Sequence, residues 1–221
     1  AKQVMDVVER ELETRVGPVL LRPAYTVPDA TIGYLSRYAA GMRENGGVYT
    51  HAATWAVMAA ARLKRTEAAY RMARKINPVV RGQDPDEYVA EPYVTPGNIE
   101  GPDSGYFGRG GWTWYTGSAA WYFRVVLDWI LGIRPTIEGI TVDPCIPADW
   151  KSFSVVRIFR GATYRFEVKN PGNTGHGVAE ILLNGTALPL PADGGAPVLP
   201  VLPAGSDNVV IVSLRRTNGT G

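Results

Sequence analysis

The chain has 221 residues, with 23 Lys and Arg against 21 Asp and Glu, and this near balance predicts no surface for nucleic acid or another polyanion. Hydrophobic residues make up 45% of the chain and charged residues 20%, a composition that excludes an intrinsically disordered protein. One cysteine, Cys145, and two histidines exclude a disulfide framework and a zinc site built from Cys and His. No apolar run approaches the ~20 residues of a bilayer span, so we expect no membrane segment and a cytoplasmic location.

The first 135 residues are predicted to be mainly helical. Apolar residues recur at three- and four-residue spacings over 2–12, which predicts an amphipathic helix. Because the chain starts inside this pattern, we expect it to be part of a longer polypeptide. Strong helix formers without a breaker predict two more helices over 51–63 and 66–75, joined as a hairpin. A further helix is predicted from Gly117 to a glycine stop at Gly132.

From residue 136 onward, short β-branched segments alternate with turn residues, which predicts strands. The segments are GITVDP, FSVVRIF, ATYRFEV, GVAEILLNG and NVVIVSL. Turn residues at 170–172 and 184–185 predict two hairpins, and the Pro- and Gly-rich stretch 189–208 is expected on the surface. The predicted fold class is therefore mainly α followed by β, with a helical domain at 1–135 and a β-module at 136–221.

The first candidate binding segment is Arg-Glu-Asn-Gly-Gly-Val-Tyr-Thr-His at 43–51, which ends where a helix begins. Paired glycines allow the backbone to approach a ligand closely, and the first turn of a helix offers unpaired N–H groups to an anion. His51 is therefore a candidate donor to a phosphate oxygen. The alternative is that His51 only caps the helix or makes a structural hydrogen bond, and the residues alone leave both open. The second histidine, His176, lies between glycines and is expected in a surface turn.

The second candidate segment is Gly-Arg-Gly-Gly-Trp-Thr-Trp-Tyr-Thr-Gly-Ser at 108–118. Thr116, Gly117 and Ser118 lie at a predicted helix start, where hydroxyl groups and free N–H groups favour negative charge. The alternative is that Thr116 or Ser118 is only the helix cap.

Aromatic residues are concentrated around this helix start. Trp112, Trp114 and Tyr115 either form a stacking floor for a sugar ring or belong to the core. Trp121 and Trp129 are eight residues apart in one predicted helix, and this spacing places them on one face, where packing is expected.

The third candidate segment is Tyr-Val-Ala-Glu-Pro-Tyr-Val at 88–94, preceded by Asp84 and Asp86. Carboxylates beside aromatic side chains suit recognition of sugar hydroxyls or one half of an acid and base pair, which makes Glu91 a candidate. The alternative is charge on a solvated loop. Cys145, which has no neighbouring base in the sequence, is expected to be a buried packing residue and not a nucleophile.

Four segments in this order carry a resemblance: ENGGVYTHAATWAVMAAA, YVAEPYV, RGGWTWYTGSAAWYFRVVLDWILGIRP and VDPCIPADWKSFSVVRIFRGATY. Together they resemble the C-terminal third of the cellobiose and chitobiose phosphorylase family, over about residues 17–170. That family includes the phosphorylase-like domain of cyclic β-1,2-glucan synthases. The resemblance implies the last part of an (α/α)6 six-hairpin barrel, followed by a small, jelly-roll-like C-terminal β-sheet module.

The same resemblance implies a reaction in which inorganic phosphate attacks the anomeric carbon of a β-glycoside and releases an α-sugar 1-phosphate with inversion. It assigns phosphate binding to His51, Thr116 and Gly117, and acceptor-sugar binding to Tyr38, Arg43 and Glu44. Glu91, the carboxylate of the third candidate segment, is added as a fourth substrate-binding candidate. The family's general acid is an Asp upstream of these segments. The resemblance therefore assigns no catalytic residue to this chain and implies that the chain alone is inactive.

The implied partners are a β-linked disaccharide or oligosaccharide, phosphate as co-substrate, the N-terminal remainder of the same enzyme and a second copy in a homodimer. No cofactor, metal, nucleic acid or membrane is implied. Three alternatives stay open. They are a phosphorylase-like domain of a membrane-bound cyclic β-1,2-glucan synthase, a non-catalytic carbohydrate-binding protein, and an inverting hydrolase that uses Glu91 or Asp86 as its base.

Overall fold

A computed structural model of the chain describes residues 1–114 and 116–216, without the side chain of Thr116. Tyr115, one of the predicted stacking residues, lies outside this described part. The helices of the described part are α1 (Lys2–Val7), α2 (Thr50–Arg62), α3 (Thr66–Lys75), α4 (Pro78–Arg81), α5 (Pro85–Tyr88) and α6 (Thr116–Val125). Short π-helical turns follow α1 and α6 at Val8–Leu12 and Val126–Ile130, and a 3-10 turn spans Tyr34–Arg37. None of the described helices has the length and apolar character needed to cross a membrane.

Thirteen strands complete the secondary structure of the described residues. They are β1 (Glu13–Thr14), β2 (Gly17–Pro18), β3 (Val48–Tyr49), β4 (Asn98–Ile99), β5 (Gly110–Gly111), β6 (Ile133–Pro135), β7 (Gly139–Val142), β8 (Ser152–Phe159), β9 (Ala162–Lys169), β10 (Val178–Leu183), β11 (Thr186–Ala187), β12 (Val198–Pro200) and β13 (Asp207–Leu214). The chain divides into two compact units. The first contains Ala1–Leu63 and Ala68–Val125, and the second contains Lys64–Glu67 and the residues from Val126 onward.

The predicted helices at 51–63 and 66–75 are confirmed as α2 and α3. Buried residues of α2 recur every three or four positions at Ala53, Val57 and Ala60, so one stripe of this alanine-rich helix faces the core. The predicted helix that starts at Gly117 is confirmed as α6 and the π-helical turn that follows it.

The first unit is organised around a hydrophobic core and a small three-stranded sheet. The core residues are Val16, Val19, Val48, Ala53, Ile76, Tyr88 and Ile99. β4 lies between β3 and β5 in antiparallel register, with Asn98 opposite both Tyr49 and Gly111. Because β3 ends where α2 begins, this sheet fixes the position of the first turn of α2.

The second unit contains a five-stranded sheet in the order β11-β10-β13-β9-β8 and a three-stranded sheet in the order β12-β7-β6. The five predicted strand segments are all confirmed. Alternating residues of β9, namely Tyr164, Phe166 and Val168, are buried on one face of the larger sheet. The hydroxyl of Tyr164 donates to the carbonyl of Pro200 in β12 (3.0 Å), so a hydrogen bond joins the two sheets.

The predicted hairpin at 170–172 is wrong, because β13 lies between β9 and β10. β13 pairs parallel to β9 and antiparallel to β10, so the chain must cross over after β9. Asn170 is fully buried, and its side-chain amide donates to the carbonyls of Ala148 (3.2 Å) and Trp150 (2.9 Å). These bonds hold a crossing loop. The predicted hairpin at 184–185 is confirmed as the turn between β10 and β11.

The stretch 189–208, expected on the surface, contributes a strand to the smaller sheet. β12 pairs with β7, and both Pro197 and Leu199 are buried. All four residues of β7 are buried, so an apolar strand beside it removes more hydrophobic surface from water than a solvated loop would. Proline is compatible with this position because β12 is an edge strand.

Cys145 confirms its expected role as a buried residue. Burial raises the pKa of its thiol to about 11, so the thiol stays protonated well above neutral pH, and the thiolate is the reactive form.

We expect the folded chain to react with a thiol reagent at pH 8 only as fast as it unfolds, and the denatured chain to react at once. Absorbance of the released chromophore measures both rates, and rapid labelling of the folded chain would contradict this placement.

Candidate functional site

His51 lies in the first turn of α2 but does not cap it. The residue before the helix is Tyr49, and no side-chain capping bond forms there. The imidazole Nε2 of His51 is buried and has no hydrogen-bond partner among the described residues. Because buried polar atoms are almost always hydrogen-bonded in native proteins, this nitrogen is a candidate for an interaction with a ligand.

The His51 ring belongs to a cluster of three aromatic rings. It stacks on Trp121 of α6, with ring centres 5.6 Å apart and planes at 29°. It also meets Trp55 edge to face at 5.2 Å, and the two tryptophans meet each other at 5.9 Å. Trp55 is 50% exposed and Trp121 37%. Trp121 packs as expected, but it packs against His51 and Trp55 at a partly exposed position. Its partners lie on α2, a tertiary contact that helical spacing does not predict.

This cluster brings the first turn of α2 beside the first turns of α6. Gly117 lies four residues before Trp121, which is ~6 Å along a helix axis. Gly117 is exposed, and a methyl group added to it would meet no other described atom within 4 Å. His51 therefore contacts the α6 residue that lies about one helical turn after Gly117. The hydroxyl of Thr116, the third predicted phosphate ligand, lies outside the described part of the chain.

A second group forms around Arg43. Its guanidinium carbon lies 3.5 Å from the ring centre of Trp112 and 4.5 Å from that of Tyr38, and its Nε lies 3.6 Å from Oε2 of Glu44. Arg43 Nε and Glu44 Oε2 are both buried and lack a hydrogen-bond partner in the described residues. The two atoms form an ion pair with each other. Because a hydroxyl group both donates and accepts, it is the kind of group that matches this donor and this acceptor.

The three predicted residues Tyr38, Arg43 and Glu44 are thus brought together, and sequence reasoning missed two asparagines that hold them there. Asn45 is fully buried and donates to the carbonyl of Tyr38 (2.8 Å). Asn98 is also buried and accepts a hydrogen bond from the backbone N–H of Arg43 (2.8 Å). The sequence signal for Asn45 is an asparagine directly before a glycine pair. Asn98 has no local sequence signal.

The sequence predicts that the paired glycines allow the backbone to approach a ligand, but the structure gives them a different role. A methyl group on Gly47 would lie 2.5 Å from Oδ1 of Asn98 and 2.7 Å from the backbone nitrogen of Arg43. A methyl group on Gly46 would lie 2.9 Å from Cβ of Ala24. Both glycines therefore allow the chain to pack against itself.

A short hydrogen-bond ladder connects the two groups. The backbone N–H of Gly97 donates to the carbonyl of Trp112 (3.0 Å), and the carbonyl of Gly97 accepts from the N–H of Thr50 (3.0 Å). Trp112 underlies Arg43, and Thr50 precedes His51. The strand around Gly97 therefore holds the Arg43 group and the His51 group in one frame.

Glu91 forms a separate contact with an exposed tryptophan. The indole Nε1 of Trp114 donates to Oε1 of Glu91 (3.0 Å), and Trp114 is 67% exposed, which excludes it from the core. The pKa of Glu91 is lowered, first by a hydrogen bond from its own backbone N–H and then by Trp114 and Thr113. Glu91 therefore stays ionised and suits hydrogen-bond acceptance better than proton donation. Asp84 caps α5 by accepting from the N–H of Glu87 (3.1 Å).

The second unit has a polar cavity of about 210 Å³, lined in part by Lys64, Asp143, His176 and Arg215. His176, expected in a surface turn, is half-buried there. Its pKa is lowered mainly by burial and secondly by the positive charge of Lys64. Lys64 Nζ already donates to a carboxylate oxygen of Asp143. Among the described residues of the whole chain, no group of three or more His, Cys, Asp or Glu side chains has the arrangement of a metal site.

Comparison with known proteins gives the context of this site. The sequence model of the glycosyl hydrolase 94 superfamily catalytic domain matches residues 1–132. N,N'-diacetylchitobiose phosphorylase of Vibrio proteolyticus is 37% identical over 213 residues, which is 96% of this chain and 26% of that protein. Solabiose phosphorylase of Paenibacillus borealis is 33% identical over 185 residues, 84% of this chain and 24% of that protein. A cyclic beta-(1,2)-glucan synthase of Rhizobium meliloti is 40% identical over 185 residues, 81% of this chain and 6% of that protein. The chain thus spans about a quarter of the length of the phosphorylases that it matches.

Proposed function

Because this chain belongs to the glycosyl hydrolase 94 superfamily, we propose that it is the C-terminal quarter of an inverting glycoside phosphorylase. Residues 1–135 then supply the last part of a six-hairpin α/α barrel, and residues 136–221 form a C-terminal β-module of jelly-roll type. The family match over residues 1–132 and the share of each phosphorylase that the chain covers support this division.

The proposed substrates are inorganic phosphate and a β-linked disaccharide or short oligosaccharide of glucose type. A phosphate oxygen forms a bond to the anomeric carbon while the bond from that carbon to the glycosidic oxygen breaks. An aspartic acid in the upstream part of the enzyme donates its proton to the leaving oxygen. The products are an α-sugar 1-phosphate and a shortened sugar. Phosphate is itself an anionic nucleophile, so this reaction needs no second carboxylate as base, no metal and no cofactor.

The phosphate side of the proposed site consists of His51, Thr116 and Gly117. The observation that carries the proposal is the buried Nε2 of His51, which has no hydrogen-bond partner among the described residues. The His51 ring stacks on Trp121 of α6. Helix starts attract anions through free N–H groups and the helix dipole, and two such starts lie close together here. Because Nε2 is buried, phosphate binding requires a small displacement of the side chains that cover it.

The sugar side of the proposed site consists of Tyr38, Arg43 and Glu44, with Glu91 at its edge. A sugar ring suits these residues because Arg43 and Glu44 together match one hydroxyl group. A phosphate group does not suit them, because the Glu44 carboxylate repels it.

Phosphate dependence tests the proposed function. We expect the full-length enzyme that carries this chain to cleave a β-linked disaccharide only when inorganic phosphate is present, with one sugar 1-phosphate formed per bond broken. Phosphorus NMR identifies the product and its anomeric configuration, with cellobiose and N,N'-diacetylchitobiose as the first substrates. Sugar release without phosphate would instead support a hydrolase based on Glu91 or Asp86. Sugar binding without turnover would support a carbohydrate-binding protein.

A second candidate function follows from the 40% identity to the cyclic beta-(1,2)-glucan synthase. In that case the chain belongs to a phosphorylase-like domain within a much longer protein, and the substrate is a β-1,2-linked glucan. Phosphate-dependent shortening of a β-1,2-glucan, without cleavage of cellobiose or N,N'-diacetylchitobiose, distinguishes this candidate from the first.

A further inference from the structure

We propose that Asn98 is a positioning residue that holds the sugar-side arginine, Arg43, against Trp112. This inference rests on the proposed function, since it assigns to Asn98 the geometry of the proposed sugar subsite. Among the described residues, the Asn98 side chain hydrogen-bonds the backbone of Arg43 and not His51 or Gly117, so it acts through Arg43.

The backbone of Arg43 adopts a conformation that needs support. Its φ of 50° lies in the left-handed region, which is unfavourable for residues other than glycine. Its N–H donates to Oδ1 of Asn98 (2.8 Å), and its carbonyl accepts from the N–H of Gly47 (3.1 Å). Both polar groups of this backbone unit are therefore held, one of them by a side chain 55 residues away.

Asn98 is itself rigidly placed. It is 2% exposed and lies in β4, the middle strand of its sheet. The preceding residue, Gly97, donates to the carbonyl of Trp112 (3.0 Å). One strand thus holds the backbone of Arg43 through the Asn98 side chain and also holds Trp112, whose ring underlies the guanidinium at 3.5 Å.

Loss of the Asn98 side-chain oxygen should therefore disturb Arg43 and leave His51 in place. Without this acceptor, we expect Arg43 to relax toward an ordinary backbone conformation, which takes its guanidinium away from Trp112 and Glu44. His51 is held by Trp55 and Trp121, and these contacts do not involve the Asn98 side chain. The phosphate side should therefore keep its geometry.

The test measures the two sides of the site separately in the full-length enzyme. The acceptor probe is the free sugar that the wild-type enzyme releases during phosphorolysis, paired in the synthetic direction with the α-sugar 1-phosphate product. We expect Asn98→Ala to raise the KM for this sugar roughly tenfold, the effect of one lost buried hydrogen bond. The KM for phosphate should change less than about twofold. Asn98→Asp keeps an oxygen acceptor and should restore most of the acceptor affinity.

Two comparisons distinguish positioning from general damage. Asn208 in β13 is also a buried strand asparagine, which donates to the carbonyl of Thr163 (3.1 Å), and Asn208→Ala should lower stability without changing either KM. Asn98→Ala added to Arg43→Ala should leave the acceptor KM of the single Arg43 variant unchanged. Additive effects of the two substitutions, or an unchanged acceptor KM in a folded Asn98→Ala enzyme, would overturn the inference.

A readout without activity separates this inference from the proposed function. In the full-length enzyme with isotope-labelled arginine, the Arg43 side chain lies over the Trp112 ring and should show upfield ring-current shifts by NMR. Asn98→Ala should abolish these shifts, and Asn98→Asp should retain them. Shifts that persist in Asn98→Ala refute the positioning role. A wild-type enzyme without phosphate-dependent cleavage refutes the proposed function while leaving the NMR result to decide the placement of Arg43.

Discussion

We expect His51→Ala to lower the efficiency with which the full-length enzyme uses phosphate by roughly 100-fold, the usual effect of removing one fixed donor to a reacting oxyanion. In the proposed site the imidazole is the side chain that the first turn of α2 offers to phosphate, and its Nε2 has no competing partner among the described residues. The loss should therefore appear in the KM for phosphate and in kcat, while the KM for the disaccharide stays nearly constant. Initial rates over a range of phosphate concentrations, at saturating disaccharide, measure this directly.

The second histidine provides a matched control for this substitution. His176 lies in the β-rich unit, where it lines a cavity with Lys64 and Asp143, so His176→Ala should leave phosphate use unchanged. His51→Gln places an amide nitrogen near the position of Nε2 and should recover part of the lost efficiency. An His51→Ala enzyme with wild-type dependence on phosphate would contradict the proposed phosphate side.

Local sequence patterns predicted the secondary structure well but predicted strand pairing poorly. The alanine-rich run at 51–63 contains no breaker, and α2 begins within one residue of it. The Asn-Pro-Gly turn at 170–172 failed as a hairpin because β13, some forty residues later, lies between the two strands that it joins. Pairing between distant segments depends on burial in three dimensions, for which a turn signal carries no information.

The candidate site shows the same division between local and distant information. The helix starts that contain His51 and Gly117 were predictable, since a run of helix formers after a glycine-rich loop has a recognisable beginning. The cluster that brings them together was not, because it depends on a contact between Trp121 and His51 on separate helices. Asn98 was missed for the same reason, because its partner lies 55 residues earlier.

The glycine at the start of α6 gives the second large expected effect. Gly117 is helical, and a methyl group added to it meets no described atom within 4 Å. Because alanine is also the better helix former by up to about 1 kcal/mol, Gly117→Ala should leave the thermal midpoint unchanged or raise it. In the proposed site, however, the same methyl group lies where phosphate approaches the free N–H groups of the helix start. We therefore expect the KM for phosphate to rise at least tenfold, which is about 1.4 kcal/mol of binding.

The combination of unchanged stability with lost phosphate affinity distinguishes a binding role of Gly117 from a structural one. Gly105→Ala is the matched control, since a methyl group there also meets nothing within 4 Å and lies outside the proposed site, so neither stability nor phosphate use should change. Thermal unfolding and phosphate kinetics of the two variants, measured side by side in the full-length enzyme, test this expectation. A stable Gly117→Ala enzyme with a wild-type KM for phosphate would show that phosphate does not approach the start of α6, and His51 would then need a different phosphate-binding partner.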